Sequence, residues 1–327
     1  MAATKSSPPP DLAERVGDFL AARLPPGRRL CVGLSGGCDS LVLLHLAAAC
    51  WPREALSAVH VHHGLSPHAD AWAEHCAACC AELAIPLTLT RVAVSPAGEG
   101  LEAAARHARY RAFAEALADH DADALLLAQH RGDQAETLLF NLLRGSGLTG
   151  LAGIPAERAL AGRRLLRPLL GCSRAEIEAW GREHGLVWVE DESNADTAFS
   201  RNFLRHEVMP RLAARFPAAE PSLARAAAHL AEAAALLDEL AELDWQRVAD
   251  GDAACWSALR ALPLPRLKNL LRYRLRRLGW QPPAAERLEE FARQLQTATP
   301  DRHPELVLPA GTLRAGRGRL RWIPAAD

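Results

Sequence analysis

Residues 33–40 read Gly-Leu-Ser-Gly-Gly-Cys-Asp-Ser, and they stand between an apolar run and a helix-forming one. Two adjacent glycines let the backbone turn sharply and approach a ligand without a Cβ in the way. The first N–H groups of the following helix have no intrahelical partner, so they and the helix dipole favour an anion. Ser35 and Ser40 add hydroxyl donors, and the carboxylate of Asp39 suits a hard cation such as Mg²⁺. The stretch predicts a phosphate-binding loop, with an ordinary Gly-Gly turn as the simpler alternative.

The composition excludes several classes of protein. The chain has 327 residues, of which 49% are hydrophobic, so it can bury a sizeable core and form two domains. A Walker A loop needs a Gly-Lys pair, but the only lysines are Lys5 and Lys268. No apolar run is long enough to span a membrane, and the first ten residues do not resemble a signal peptide. We therefore expect a cytoplasmic protein without membrane contact, whose eight cysteines are reduced thiols.

The net charge of −1 conceals a difference between the two parts of the chain. Residues 1–199 hold 18 basic and 24 acidic residues, whereas residues 200–327 hold 20 and 15. The run from Arg266 to Arg277 is a basic amphipathic helix whose cations suit RNA phosphates, although a solvated charged face is the simpler alternative. The C-terminal part is therefore the better candidate for contact with a polyanion.

The first part of the chain alternates between strand and helix signals. Strands are predicted at 29–34, 55–62, 87–94 and 124–129, and helices at 41–50, 67–84, 101–119 and 133–143. This alternation is typical of an α/β fold with a doubly wound parallel sheet. Ligands of such sheets bind at the carboxyl ends of the strands, so the loops at 35–40, 62–65 and 129–133 can share one cleft.

The pattern changes after Phe216, where long Ala/Leu/Glu helices begin. We predict a catalytic domain over residues 1–216 and a smaller, mainly helical domain over residues 217–327. Further elements are predicted as a capped helix at 173–183, three helices at 222–249, 263–279 and 284–296, and a terminal hairpin within 306–323.

A second motif follows the fourth predicted strand and reads Gln-His-Arg-Gly-Asp-Gln-Ala-Glu-Thr over residues 129–137. Asp133, Glu136 and Thr137 share one helix face because they are spaced three and four residues apart. Carboxylates beside a phosphate loop can hold Mg²⁺ together with substrate phosphates. The alternative is an N-cap aspartate and a solvated glutamate. Arg144 comes off the same helix and could reach an anion.

These motifs resemble those of a known family. The Ser-Gly-Gly-Xaa-Asp-Ser string resembles the loop of the PP-loop ATP pyrophosphatases, and the wider set is similar to the short form of the tRNA(Ile)-lysidine synthetase family. The matching segments are 34–40, 60–65, 102–110, 130–137, 143–147, 167–170, 191–194 and 199–208, with a weaker match over 260–296.

The resemblance implies a reaction and its participants. ATP would adenylate O2 of the wobble cytidine in an isoleucine tRNA with a CAU anticodon. The ε-amine of free lysine would then attack C2, giving lysidine, AMP and pyrophosphate. ATP, Mg²⁺, this tRNA and free L-lysine are the implied cofactors and partners. The oligomeric state is left open, with a homodimer as one expectation.

Matched positions assign candidate roles to individual residues. ATP would be bound by Ser35, Gly36, Gly37, Cys38, Asp39, Ser40, His60 and His62. Catalytic groups would be Asp39, Asp133, Glu136 and Arg144, with Asp39 and Asp133 as Mg²⁺ ligands and Glu136 alternatively steering or deprotonating the lysine amine. Phosphate, AMP or tRNA contacts would come from Arg106, Arg109, Arg201, Arg205, Arg272 and Arg276.

Two features of the sequence keep alternatives open. The family usually has two successive aspartates in the second motif, and here the first is Gly132. An RNA-binding protein that has lost catalysis is therefore one alternative. Cys76 and Cys79 form a Cys-Xaa-Xaa-Cys pair followed by Cys80, so a tRNA 2-thiolase or another PP-loop enzyme is a second alternative. Buried structural thiols explain these cysteines more simply.

Overall fold

A computed structural model describes residues 11–64, 66–93, 101–192, 196–299 and 301–325, with the side chains at 101–103 excepted. Leu65, Ser193 and Asn194, which belong to the matched segments, lie outside these ranges. The chain divides into two units between His229 and Leu230. The predicted domain boundary at 216/217 lies just before the helix that contains this division.

The first unit contains a six-stranded sheet in the order β3-β2-β1-β4-β6-β5. Its strands are β1 (Leu30–Gly33), β2 (Leu56–His62), β3 (Leu87–Arg91), β4 (Ala124–Leu126), β5 (Glu157–Leu160) and β6 (Arg163–Leu166). All neighbours are parallel except the edge strand β5, which is antiparallel to β6. The predicted parallel α/β sheet is therefore confirmed. The antiparallel edge strand β5 was not predicted.

Helices cover both faces of this sheet, because successive side chains of its strands point to opposite faces and apolar residues occur on both. The helices are α1 (Leu12–Ala21), α2 (Cys38–Cys50), α3 (Ala69–Glu82), α4 (Leu101–Asp119), α5 (Arg131–Leu143), α6 (Leu148–Leu151) and α7 (Arg174–Glu183). Leu30 and Val32 of β1 pack with α1, α2, α3 and α7, whereas Cys31 packs with Phe113 and Leu117 of α4. This two-sided burial is what a doubly wound sheet requires.

Three short helical segments follow: α8 (Ser200–Phe203), a π-helix (Leu204–Val208) and α9 (Met209–Arg215). A π-helix is rare and frequently lies at a functional site. Here it carries Arg205, whose partners are described below.

The second unit combines helices with an antiparallel sheet in the order β7-β8-β11-β10-β9. Its elements are the end of α10 (Ala219–Val248), β7 (Ala249–Asp250), β8 (Ala253–Cys255), α11 (Trp256–Ala261), α12 (Leu264–Arg277), α13 (Ala285–Thr297), β9 (Glu305–Leu308), β10 (Gly311–Gly316) and β11 (Arg319–Pro324). The sheet is larger than the predicted terminal hairpin because β7, β8 and β9 add to it. The inner side chains Leu306, Leu313 and Leu320 pack against α11, α12 and α13.

Candidate active site

The Gly-Gly loop joins the end of β1 to the start of α2. Gly36 has a φ of +86°, and a Cβ built there would lie 2.9 Å from Cγ2 of Val189. The N–H of Val189 donates to the Gly36 carbonyl at 3.0 Å. Glycine is therefore required at this position by both the backbone conformation and the close approach of a distant segment.

The two serines of the loop are used to hold its shape. The Oγ atoms of Ser35 and Ser40 are 3.0 Å apart, and the Ser35 N–H donates to Ser40 Oγ at 3.1 Å. The Gly37 N–H donates to Ser35 Oγ at 3.3 Å, and the Gly37 carbonyl accepts from Ser40 Oγ at 3.0 Å. Because Gly37 is the N-cap and has no side chain, the first N–H groups of α2 are left for an anion.

Asp39 lies in the first turn of α2, facing the start of α5. Its Oδ2 atom is 3.9 Å from Nε2 of His130, and the same nitrogen is 3.6 Å from Oδ2 of Asp133. Burial raises the pKa of Asp39, against the opposing positive charges of His130 and Arg174. The carboxylates at 39 and 133, predicted to share a cleft, thus flank one imidazole.

Asp133 also caps its own helix. Its Oδ2 atom accepts from the His130 N–H at 2.9 Å, while His130 Nδ1 accepts from the Gly132 N–H at 3.0 Å. This reciprocal capping box fixes the imidazole against the first turn of α5. Asp133 therefore caps its helix, as the simpler interpretation predicts. It also belongs to a group of carboxylates, Asp39, Asp133 and Glu136, called the acidic cluster from here on.

Glu136 is almost fully buried and is paired with Arg205. The guanidinium donates through Nε to Oε1 and through Nη2 to Oε2, both at 2.8 Å, and Nη2 also reaches Oδ1 of Asp133 at 3.1 Å. Burial raises the pKa of Glu136, and the hydrogen bonds from Arg205 oppose that rise. Arg201, one turn earlier, donates to Thr137 Oγ1 at 3.4 Å. The second motif thus meets the matched segment at 199–208.

Gly132 has a local explanation. A Cβ at this position would lie 2.8 Å from Cε1 and 3.1 Å from Nδ1 of His130. Because His130 is buried, a side chain at 132 would force its ring to move. The imidazole therefore occupies the space beside the acidic cluster that a side chain at 132 would need.

The other predicted ATP-binding side chains are buried, and that of His60 supports the start of the loop. His60 is buried, with Nδ1 2.9 Å from the Leu34 carbonyl and 3.4 Å from Sγ of Cys76. His62 is also buried, with Nε2 3.2 Å from Oδ1 of Asp70. The Cys38 side chain lies in the core, where burial raises its pKa to about 12. Any ligand contact from Cys38 would therefore use its backbone.

Three of the predicted arginines lie on exposed helix surfaces. Arg106 stacks on Tyr110, with 5.1 Å between its guanidinium carbon and the ring centre. Arg144 lies over Phe140 at the same distance. Arg109 is exposed and contributes to lowering the pKa of His63, for which burial is the main cause. The described contacts do not bring these three arginines into the acidic cluster.

The remaining predicted arginines belong to α12 in the second unit. Arg276 pairs with Asp238 of α10, whereas Arg272 is half-buried without an ion pair to a described residue. Sequence reasoning missed His130 and Arg174 as site residues. The capping-box patterns around 130–133 and 173–176 are the signals that could have located both.

The cluster fits Mg²⁺ held partly by a substrate. Asp39 Oδ1 is buried and has no hydrogen-bond partner among the described residues, as expected of an oxygen reserved for a cation. The described ranges contain no group of three or more His, Cys, Asp or Glu side chains arranged to hold a metal. Mg²⁺ typically takes one or two carboxylates and completes its shell with phosphates and water.

Comparisons with known proteins place these features in context. Residues 9–212 match the family described as a PP-loop domain, and residues 255–321 match the TilS substrate binding domain. The tRNA(Ile)-lysidine synthase of Pseudomonas aeruginosa is 50% identical over 311 residues, which cover 90% of this chain and 69% of that protein. The tRNA(Ile)-lysidine synthase of Nitrosomonas europaea is 44% identical, with coverage of 99% and 71%.

Among solved structures, the U34-tRNA thiolase NcsA from Methanococcus maripaludis with its [4Fe-4S] cluster is similar, with a TM-score of 0.58. The match covers 68% of this chain and 78% of that chain at 17% identity, so it shows a shared fold. In the described part of the chain, no helix combines the length and apolar character needed to cross a membrane.

Proposed function

The chain belongs to the tRNA(Ile)-lysidine synthase family, and we propose that it joins free lysine to C2 of the wobble cytidine in tRNA(Ile) with a CAU anticodon. The observation that carries this proposal is the Gly-Gly loop next to Asp39, Asp133 and the Glu136–Arg205 pair. The 50% identity to a tRNA(Ile)-lysidine synthase supports it. We further propose a cytoplasmic location and leave a homodimer as a prediction.

The first step forms an adenylate. Cytidine O2 attacks the α-phosphorus of ATP, and pyrophosphate leaves. The first N–H groups of α2 would bind the phosphate chain, and Asp39 and Asp133 would hold Mg²⁺. Mg²⁺ held there would supply positive charge to stabilise the departing pyrophosphate. The residues thereby convert a poor leaving group on the base into a good one.

The second step replaces AMP by lysine. The unprotonated ε-amine attacks C2, AMP departs with the former O2, and the attacking nitrogen loses a proton. Glu136 is the proposed acceptor or guide for that amine, because its burial favours taking up a proton. Arg205 would keep Glu136 and Asp133 in place, and Arg201 would face the adenylate or the tRNA backbone. Positioning then supplies most of the rate enhancement.

The thiolase alternative needs a reactive thiol or a metal-bound thiolate. Burial raises the pKa of Cys76 and of Cys80 to about 12, so both are poor nucleophiles. The alternative of lost catalysis rests on Gly132, and the capping imidazole of His130 gives that glycine a structural reason. We therefore favour lysidine formation over both.

The test is transfer of labelled lysine to a tRNA(Ile) transcript with a CAU anticodon, in the presence of ATP and Mg²⁺. The matched control changes only the wobble cytidine to uridine. We expect label and AMP with the first transcript alone. Binding of tRNA without lysine transfer would overturn the proposed reaction and favour the lost-catalysis alternative.

A further inference from the structure

One face of the sheet in the second unit is left uncovered. Along β9, β10 and β11 the side chains alternate, so that Leu306, Leu313 and Leu320 are buried while their neighbours are exposed or half-buried. The outward residues are Glu305, Val307, Arg314, Arg319, Arg321 and Ile323. Because α11, α12 and α13 pack on the inner face, this outer face is open to a partner.

Positive charge accumulates on this face. Arg314 and Arg321 are directly opposite each other across β10 and β11, an arrangement that destabilises a sheet when both residues carry the same charge. Arg314 pairs with Glu305 at 2.8 Å, and Arg319 pairs with Asp250 at 2.6 Å. Arg321 has no ion pair to any residue in the described ranges, so the cross-strand repulsion is only partly relieved.

The turn between β10 and β11 extends the same charge. Arg317 and Gly318 have φ angles of +51° and +74°, which is the conformation of a two-residue hairpin turn that favours Asn or Gly. An arginine at the first of these positions costs about 1 kcal/mol in backbone strain. A cavity of about 410 Å³ lies beside the turn, lined in part by His303, Arg314, Arg317 and Arg321.

The helix predicted to contact RNA uses most of its charge internally. Arg266 pairs with Asp244, Lys268 with Glu289 and Arg276 with Asp238, while Arg274 stacks on Trp245 at 3.7 Å. These contacts join α12 to α10 and α13 within the unit. The basic run therefore mainly stabilises the unit, whereas Arg317 and Arg321 on the outer sheet face have no ion pair to a described residue.

We propose that the arginine face, defined as Arg314, Arg317, Arg319 and Arg321, binds the phosphate backbone of the tRNA substrate. This inference rests on the proposed function, since it names the surface through which the second unit holds the same tRNA. Four guanidinium groups against two carboxylates complement a polyanion, and phosphate contacts fix the register of a nucleic acid without reading its sequence.

The test compares the double variant Arg317→Gln/Arg321→Gln with the control Arg260→Gln/Arg293→Gln. The control removes the same number of charges from two exposed arginines on α11 and α13, behind the inner face of the sheet; of these, Arg293 is paired with Glu289 of its own helix. Filter binding of the tRNA(Ile) transcript is measured between about 50 and 200 mM salt, with thermal unfolding as a check on folding. We expect the sheet variant to lower the salt slope of log K by about 2, or about 0.9 per lost phosphate contact.

Lysine transfer separates this inference from the proposed function. In the sheet variant we expect the KM for tRNA to rise more than kcat falls, whereas the control behaves like the wild type. If the wild type transfers lysine but both variants keep its salt slope, the arginine face is not the tRNA surface. If the wild type transfers no lysine and only the sheet variant changes the slope, the proposed reaction fails and the surface stands.

Discussion

Arg205 and Arg321 carry the same charge in opposite surroundings. Arg205 is largely enclosed and donates hydrogen bonds to both carboxylate oxygens of Glu136 and to one of Asp133. These three hydrogen bonds fix the position of its guanidinium group. Arg321 is exposed and lacks an ion pair among the described residues. Buried pairs fix geometry, whereas exposed charges act through a field that salt screens.

The difference separates two kinds of experimental effect. Changes in the acidic cluster of the first unit should alter the chemical step while leaving the salt dependence of tRNA binding intact. Changes on the arginine face should alter affinity and its salt dependence. The largest effect on activity is expected in the acidic cluster.

The largest loss is expected for Asp39→Asn. The substitution keeps the shape of the side chain but removes the negative charge of the carboxylate, whose Oδ1 atom is buried without a hydrogen-bond partner among the described residues. It should therefore lower tRNA-stimulated pyrophosphate release about 10³-fold. Pyrophosphate release and tRNA binding are measured on the same preparation. The matched control is Asp121→Asn, which alters an exposed aspartate paired with Arg163. An equal loss of tRNA affinity would contradict a role at the metal.

A smaller effect, on stability, is expected when the Glu136–Arg205 pair is broken. Arg205→Ala leaves a buried carboxylate unpaired, so the free energy of unfolding should fall by about 2–3 kcal/mol. Urea unfolding measures this change. Adding Glu136→Gln should recover part of the lost stability, since the unpaired charge is then absent. Full additivity of the two changes would show that the pair is not coupled.

Gly132→Asp tests whether the family's usual aspartate can be restored. We expect lysine transfer to fall by roughly tenfold rather than rise, because the new Cβ displaces His130 from the acidic cluster. Gly132→Ala introduces the same crowding without charge and should cause a similar loss. A gain of activity in the aspartate variant would mean that the imidazole yields and that the site was incomplete.

The smallest effect on activity is expected from thiol modification. A hydrogen bond with Ser257 lowers the pKa of Cys255, whereas burial raises the pKa of Cys31, Cys76 and Cys80 to about 12. Iodoacetamide at neutral pH should therefore label Cys255 first, as mass spectrometry would show. Lysine transfer should stay near that of the untreated protein. Early labelling of Cys76 with loss of activity would revive the thiolase alternative.

The sequence was sufficient for features that depend on neighbouring residues. The Gly-Gly turn, the parallel strands and the capping box at Ser173 each follow from residues a few positions apart, and the structure contains all three. The edge hairpin formed by β5 and β6 was missed because its strands are only four residues long. The π-helix at Arg205 could not be predicted, since its extra residue per turn has no distinct sequence signal.

Ion pairs between residues distant in the sequence could not be predicted from the charge pattern. The basic run of α12 favours RNA binding when the sequence is taken alone, because the partners Asp238 and Asp244 lie more than 20 residues earlier, on α10. Contact of Arg272 and Arg276 with tRNA stays a prediction. The arginines of β10, β11 and their turn are fewer, with four between residues 314 and 321. Alternation along the strands places them on one face, and only the tertiary fold shows which charges are already neutralised.

The hydrogen bond from Val189 to Gly36 also bears on how the protein is made. Because its two residues are 153 positions apart, the loop between β1 and α2 cannot gain this hydrogen bond until the chain has been synthesised past α7. Contacts of such long range slow folding, since a large loop must close before they form. During synthesis the residues of β1 and α2 are therefore made well before Val189, which supports the loop between them.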